Sequence, residues 1–237
     1  MGKKTLYVLS FGLKPSHLTW EAAEGARACE KIYSHCVDGR AARHFPGFAR
    51  KIKLIAGHDF TGMKAAILAA FGRHDTLGLL TYGNPCFIHP PTVDLIAAAR
   101  SAGIEVRVLD AVSSFDSMVN LFSFAGPLHE VRLVSAYALP KKKSITFTPG
   151  LNTMFFAIDQ LAGEAGAGSR ERFARAAAGA YPAGAAVFLA NCESISGGQD
   201  LVKGTIKGLR ELLEKAGLRH TLFIPAAGAA RRKYGKY

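Results

Sequence analysis

The sequence predicts an α/β fold divided into two domains, and three observations predict it. Patterns typical of strands and of helices alternate from residue 5 to residue 224. The chain has 237 residues, of which 49% are hydrophobic, which is enough for one large core or two small ones. A Gly126-Pro127 pair interrupts the pattern near the middle. We therefore expect an N-terminal domain over residues 1–125 and a C-terminal domain over residues 126–237.

In the N-terminal half, short aliphatic runs bounded by Gly, Pro or Asn predict strands. These runs lie at residues 5–10, 32–37, 76–82 and 104–109. Helices are predicted in the segment that Thr19 caps, at residues 61–71, at residues 91–102 before Gly103, and from Ser113 or Ser114 to residue 121. The stretch 38–60 is irregular, and loops of that length often carry function.

The C-terminal half repeats the alternation. Strands are predicted at residues 130–139, 144–148, 185–190 and 220–224. Helices are predicted at residues 152–161, 170–179 and 199–215. Lysines 141–143 fall in a loop, and the chain closes on a short basic tail.

The net charge of +12 comes from 30 Lys and Arg against 18 Asp and Glu, and it suits an anionic partner. No zinc-finger spacing, helix-turn-helix or RNP pattern accompanies the charge, so nucleic acid is not expected. No apolar run approaches the roughly 20 residues that span a bilayer, so no membrane partner is expected. The N-terminus leads directly into a strand, and we infer a cytoplasmic protein. The four cysteines lack CxxC spacing and are expected to be reduced.

Several familiar catalytic and binding motifs are missing. There is no GxxxxGK[ST] phosphate loop, no GxGxxG after the first strand and no GxSxG nucleophile elbow. The eight histidines show no HExxH or other ligand spacing, so no metal site is predicted.

Four predicted strands end in turns rich in Gly, Ser, Thr, Asn and Pro, where an open α/β sheet binds its ligands. The turns are Ser10-Phe11-Gly12, Tyr82-Gly83-Asn84-Pro85, Ala111-Val112-Ser113-Ser114 and Thr148-Pro149-Gly150. Glycine lets backbone approach a ligand closely, and the polar side chains offer hydrogen bonds. Each turn alone is a weak signal, because most turns between strands and helices look like this.

In this order, the turns resemble the tetrapyrrole (corrin/porphyrin) methylase family of S-adenosylmethionine-dependent methyltransferases. That family has a small-residue loop before a Leu-Thr helix start, here residues 10–19 with Leu18-Thr19. A central strand then ends in Gly-Asp-Pro or a variant, here Gly83-Asn84-Pro85. Within the family, the chain is most similar to the borosin peptide α-N-methyltransferases. The Ser16–Thr19 helix start, the tyrosine of Tyr82-Gly83 and the late Thr221–Pro225 run carry that likeness.

The resemblance implies two α/β domains with S-adenosylmethionine, and its product S-adenosylhomocysteine, in the cleft between them. It implies that Ser113 contacts the amino-acid end of the cofactor and that Leu189 and Asn191 lie beside the adenine. The full set of implied cofactor-binding residues is Phe11, Gly12, Tyr82, Asn84, Phe87, Ser113, Thr148, Leu189, Asn191, His220 and Thr221.

The sequence departs from the resemblance at the residues expected to handle the substrate proton. Self-modifying borosins carry an Arg-x-x-x-Tyr pair before the helix that leads to the Tyr-Gly turn, whereas this chain has Ala56 and Phe60. The remaining catalytic candidates there are His58, Asp59 and Tyr82. We expect Tyr82 to polarise an amide oxygen or to assist proton removal.

Three interpretations of function stay open at this stage. The chain methylates a separate precursor peptide, because its C-terminus is too short and too basic to hold a core peptide. Alternatively, it methylates a tetrapyrrole or another small acidic molecule, which the positive charge would suit. The third interpretation is a binding protein that has lost catalysis, as Ala56 and Phe60 would allow. The resemblance also implies a homodimer.

Overall fold

The computed structural model describes residues 3–37, 42–45, 47–55, 59–122, 130–142, 144–192 and 200–227. The chain divides into two compact units, Met1–Ser113 and Ser114–Tyr237. The boundary predicted at Gly126-Pro127 lies outside the described residues. In the described part, each unit contains a five-stranded sheet and helices, so the predicted α/β class is confirmed. No helix in that part is both long enough and apolar enough to cross a membrane.

The first unit is built on a fully parallel sheet. Its described strands are β1 Thr5–Ser10, β2 Lys31–Ser34, β3 Ile52–Leu54, β4 Thr76–Thr81 and β5 Glu105–Val108. Its helices are α1 Trp20–Ala28, α2 Phe60–Ala70 and α3 Pro90–Ser101. The strand order is β3-β2-β4-β1-β5, so β4 lies between β2 and β1.

Alternating side chains of these strands bury both faces of the sheet. On one face, Gly25 of α1 packs against Tyr7 and Leu9 of β1. On the other face, Leu6 and Val8 join the apolar side chains of α2 and α3 in a single cluster. Because helices cover both faces of the sheet, the sequences of the central strands are continuous apolar runs. Such runs made these strands predictable from the sequence.

The second unit has a mixed sheet in the order β6-β7-β10-β8-β9. Its strands are β6 Val131–Ser135, β7 Asn152–Phe156, β8 Ala186–Asn191, β9 Asp200–Thr205 and β10 His220–Ile224. Its helices are α4 Ser114–Phe122, α5 Ala167–Ala180 and α6 Leu209–Glu214. Strands β6 and β7 are parallel, whereas β10 is antiparallel to β7 and β8, and β9 is antiparallel to β8.

Three predictions of secondary structure in this unit are wrong, and a fourth is right only in part. The helix predicted at 152–161 is β7 followed by a 3₁₀ helix at Ile158–Leu161. The helix predicted at 199–215 is β9 and the short α6. Residues 144–148 were predicted to form a strand, but this described segment has no regular secondary structure. The Thr146 carbonyl accepts a hydrogen bond from the Arg132 guanidinium and not from the backbone of a neighbouring strand. The strand predicted at 130–139 ends at Ser135 and continues as a 3₁₀ helix.

A buried arginine fixes α5 to its surroundings. The Arg170 guanidinium donates to the carbonyls of Leu161 and Gly163, both at 2.9 Å, and pairs with Glu214 at 3.3 Å. We expect Arg170→Ala to lower the free energy of unfolding by about 2–4 kcal/mol, because two carbonyls lose their donors. Arg175→Ala removes an exposed helix ion pair with Glu171 and should cost about 0.5 kcal/mol or less. Urea unfolding of both variants tests this difference, and equal midpoints would contradict it.

Candidate functional site

The parallel sheet of the first unit brings five strand ends to one edge. Ligands of open α/β sheets bind beyond such carboxyl ends. The two central strands, β1 and β4, end side by side, since Ser10 is in register with Thr81. The first and second predicted turns follow these residues directly. The structure therefore brings Gly12 and Gly83 together.

Backbone hydrogen bonds join the two turns. The Gly83 N–H donates to the Gly12 carbonyl at 3.0 Å, and the two residues form an isolated bridge. The Gly12 N–H donates to Ser10 Oγ at 2.9 Å. Both glycines have positive φ, +66° at Gly12 and +63° at Gly83, which is a conformation that other L-residues rarely adopt. The sequence needs glycine at both positions to make this edge.

The two glycines differ in the space around them. A Cβ atom at Gly12 would lie 2.5 Å from the Cβ of His17, so the loop packs tightly there. A Cβ atom at Gly83 would meet nothing within 4 Å. A side chain at Gly83 would therefore not crowd the turn itself. It would occupy an opening at the carboxyl edge where a ligand can approach the backbone.

His17, which packs against Gly12, has an unsatisfied polar atom. Its Nδ1 is buried and has no hydrogen-bond partner within the described residues. Burial lowers the pKa of His17, and the nearby positive charge of Lys14 lowers it further. A buried nitrogen without a partner is costly, and a bound ligand is one way to satisfy it.

The side chains of the Tyr82–Phe87 turn have defined packing roles. Tyr82 is half-buried, and its ring meets Phe11 edge to face with the ring centroids 6.0 Å apart. Phe11 is itself buried and packs on Phe45, so its ring belongs to the core on the α1 face. Asn84 Oδ1 accepts from the Cys86 N–H at 3.0 Å, and the Phe87 N–H donates to the Asn84 carbonyl. These two hydrogen bonds show that Asn84 stabilises the turn.

A group of two histidines and a phenylalanine follows on the same edge. The rings of His35 and His89 are stacked, with centroids 5.3 Å apart and planes 8° apart. Phe60 meets both rings edge to face. The sequence analysis missed these histidines, because nothing in their spacing joins the end of β2 to the start of α3. The backbone next to His89 is unusual. Ile88, which precedes His89, has φ +55°, a strained value for a β-branched residue.

Of the two catalytic candidates just before α2, the structure describes Asp59 but not His58. Asp59 is the N-cap of α2, and its Oδ1 accepts from the Gly62 N–H at 2.8 Å. That structural role accounts for its carboxylate. His58 and Ala56 lie outside the described residues. Ser113, the last residue of the first unit, is buried at 7% exposure.

The cofactor residues predicted in the second unit are not all brought together. Asn191 and His220 are paired at one edge of the sheet. The turn containing Thr148 precedes Asn152 and bonds Ala227, which places it at the opposite edge. The five-residue strands between these edges are about 13 Å long. One small ligand group cannot contact both edges.

Two further residues in this unit have structural explanations. Leu189 is fully buried in the apolar core, so the structure does not support its predicted place beside an adenine. His220 Nδ1 accepts from the Gly217 N–H at 2.9 Å, which closes the turn before β10. Thr221 is 2% exposed and pairs with Ala190.

Comparisons with solved structures establish the fold. A uroporphyrin-III C-methyltransferase from Thermus thermophilus is similar over 99% of this chain and 98% of its own, at 17% identity and a TM-score of 0.70. Another Thermus thermophilus uroporphyrin-III C-methyltransferase structure, complexed with S-adenyl homocysteine, matches over 94% and 97% at 15% identity and 0.70. A cobalt precorrin-4 methyltransferase matches over 93% and 94% at 14% identity and 0.68. The chain matches no protein-family model and no curated protein sequence.

These likenesses confirm the fold that the tetrapyrrole methylase resemblance implied. The chain has the two-unit α/β fold found in uroporphyrin-III and cobalt precorrin-4 methyltransferases. At this level of identity the fold is shared, and the reaction has to be argued from the site.

Proposed function

We propose that the chain is an S-adenosylmethionine-dependent methyltransferase that methylates backbone amide nitrogens of a separate precursor peptide. The observation that carries the methyltransferase proposal is the bonded Gly12–Gly83 pair with its opening at the carboxyl edge. The similarity to a structure complexed with S-adenyl homocysteine supports the class of cofactor. The peptide substrate is supported by the borosin-like motifs at residues 16–19, 82–85 and 221–225.

The residues at this edge fit such a cofactor. Gly83 leaves room where a side chain would intrude, and the buried Nδ1 of His17 lacks a partner within the described residues. Gly12, Gly83 and Asn84 would hold the cofactor from the two turns, with Tyr82 beside them. When bound, S-adenosylmethionine supplies a methyl group already activated by the sulfonium.

The protein's own task is orientation and charge stabilisation. An amide nitrogen is a poor nucleophile until its proton leaves and negative charge develops on the carbonyl oxygen. A hydroxyl aimed at that oxygen stabilises the charge where water is excluded. Tyr82 is the candidate, because it directly follows the central strand β4 and is half-buried against Phe11.

Methylation of a tetrapyrrole or another small acidic molecule is the second candidate function. The net charge of +12 favours it, because several carboxylates would be attracted to a basic protein. The three similar structures are named as uroporphyrin-III C-methyltransferases or as a cobalt precorrin-4 methyltransferase.

Two measurements test these proposals. Calorimetry with S-adenosylmethionine and S-adenosylhomocysteine should give micromolar or tighter dissociation constants, and no binding of either would contradict the methyltransferase. Transfer of a labelled methyl group to peptides encoded near the gene, and to uroporphyrinogen III, then separates the substrate classes. Cofactor binding without transfer to any substrate would instead favour a homologue that has lost catalysis.

We also propose a homodimer, as the borosin-like resemblance implies. Exposed apolar side chains on both edge strands of the second sheet, Leu133 on β6 and Val202 on β9, are available for contacts between copies. Light scattering should give a mass near twice 25.3 kDa. A clean monomer at high micromolar concentration would contradict this assembly.

A further inference from the structure

The stacked histidines lie at the carboxyl edge of the first sheet. His35 follows the last residue of β2, and His89 closes the turn that begins at Tyr82. Strands β2 and β4 are neighbours and end at the same edge. Phe60, at the first position of α2, packs against both imidazoles. The sequence resemblance expects a tyrosine at this phenylalanine, so the imidazoles adjoin the place where a proton-handling group is missing.

His89 and Tyr82 approach this edge from opposite sides of the sheet. Tyr82 packs against the cluster that contains α1, whereas Phe60 packs against the cluster of α2 and α3. The carboxyl edge thus has a phenol on one side and an imidazole on the other.

The local backbone holds His89 in a fixed position. Ile88 precedes it with φ +55°, a conformation that persists only when the surroundings impose it. His89 is the N-cap residue of α3, and its Nδ1 lies 2.7 Å from Thr92 Oγ1. That contact orients the ring and occupies Nδ1. A proton-accepting Nε2 requires the tautomer in which Nδ1 donates its proton to Thr92 Oγ1.

We propose that His89 is the general base of the methyl transfer, taking the proton of the substrate amide at Nε2. This assignment rests on the proposed function and gives the proton role to a residue that the sequence had not suggested. The ring of His35 stacks on the imidazole of His89 and thereby restricts its orientation.

The proposed step is a proton transfer that accompanies bond formation. The amide N–H bond breaks, and its electron pair stays on nitrogen, which would bond the methyl group. The bond between that methyl carbon and the cofactor sulfur would break at the same time, with its electron pair passing to sulfur, so that S-adenosylhomocysteine would be the leaving group. The proton passes to Nε2, and the imidazolium later releases it to water. Because an amide is a very weak acid, the proton leaves only as the new bond forms, which is general-base catalysis.

The surroundings of His89 favour its neutral, proton-accepting form. Burial lowers the pKa of His89 below its ordinary value of 6.5. His35 contacts the His89 ring from the end of β2, and Phe60 contacts it from the first turn of α2. Asp59, the residue before Phe60, uses its carboxylate to cap α2. Thr92 contacts the ring from α3, the helix that His89 itself begins. At pH 7 the ring is therefore mostly neutral. Turnover should fall as the pH drops through the pKa of His89.

The first test needs neither substrate nor cofactor. Histidine resonances of the full chain are followed by NMR from pH 4.5 to pH 8.5 and assigned with His89→Asn and His74→Asn. We expect the pKa of His89 to lie below the ordinary histidine value of 6.5, because the ring is buried. His74 pairs with Glu30 at 3.0 Å on the surface, and its variant serves only to assign the resonances. Asparagine is a favourable N-cap, so the His89→Asn variant should fold. A pKa of His89 at or above 6.5 would overturn the proposal.

The second test uses the substrate found in the labelled-methyl screen. His89→Asn should lower kcat roughly 10²-fold or more and remove the acidic limb of the pH profile, with S-adenosylhomocysteine binding within a few-fold. His74→Asn should keep both turnover and the limb. If His89→Asn keeps turnover and the limb while the wild type is active, the histidine assignment is wrong and the proposed function stands. If the wild type transfers no methyl group to any substrate, both the histidine assignment and the proposed function are wrong.

Discussion

Gly83→Val should abolish cofactor binding while leaving the fold intact. The variant side chain would extend into the opening where a Cβ atom meets nothing within 4 Å, which is the space assigned to the cofactor. It would also hold a β-branched residue at φ +63°, at a cost of about 1–3 kcal/mol in stability. We expect calorimetry to show the dissociation constant of S-adenosylhomocysteine rising roughly 100-fold or more, or no detectable binding.

Gly103→Val is the matched control for this variant. Gly103 follows α3, has φ +74°, and also has nothing within 4 Å of a Cβ atom. The backbone penalty is therefore similar, but the position is at the opposite end of α3 from the carboxyl edge. Both variants should lose comparable thermal stability, and only Gly83→Val should lose binding. If both bind S-adenosylhomocysteine as the wild type does, the cofactor does not lie against Gly83.

Tyr82→Phe should reduce turnover by roughly 10²-fold or more, with cofactor binding within a few-fold of the wild type. The expected loss follows from removing a hydroxyl that stabilises charge only as the reaction proceeds. The ring packing on Phe11 survives the substitution, because phenylalanine has the same ring. Initial rates on the substrate from the labelled-methyl screen provide the measurement.

Tyr7→Phe serves as the control for a lost phenol. The Tyr7 hydroxyl accepts from the Arg107 guanidinium at 3.2 Å, away from the turns at the carboxyl edge. Its removal should leave turnover within a few-fold. Were Tyr82→Phe equally active, Tyr82 would have only the packing role that its contact with Phe11 already shows.

The first unit could be predicted well from its sequence because its strands are buried and sharply bounded. The run at 76–81 is apolar and stops at Gly83, and Thr19 caps α1 as expected, accepting from the Ala22 N–H. The short edge strand β3, in the stretch predicted to be irregular, was missed. Two of its three side chains are exposed, so no apolar run marks it.

The second unit was harder to predict because short apolar runs fit a strand or a helix. In residues 152–161, Met154, Ile158 and Leu161 have helical spacing and are all buried. The chain nevertheless forms a strand that is buried at every position and then a 3₁₀ turn. Such a segment shows no alternation, so its local pattern cannot distinguish the two structures.

The candidate site was predictable only where it is local. The turns at Gly12 and Gly83 are recognisable in the sequence, because each follows its strand directly. The contact between His35 and His89 depends on which strands become neighbours, and the sequence does not reveal that order. The burial of Leu189 likewise depends on which face of β8 meets the helices.

The position of β4 between β1 and β2 links folding to the assembly of the site. Before residues 76–81 join the sheet, β1 and β2 have no contact along their backbones, since each pairs with β4 and not with the other. Joining β1 to β2 therefore requires non-local pairings through β4, which are a slow kind of folding step. The turn with Tyr82 and Gly83 directly follows this strand. The pairing that completes the sheet of the first unit therefore also brings Gly83 next to Gly12.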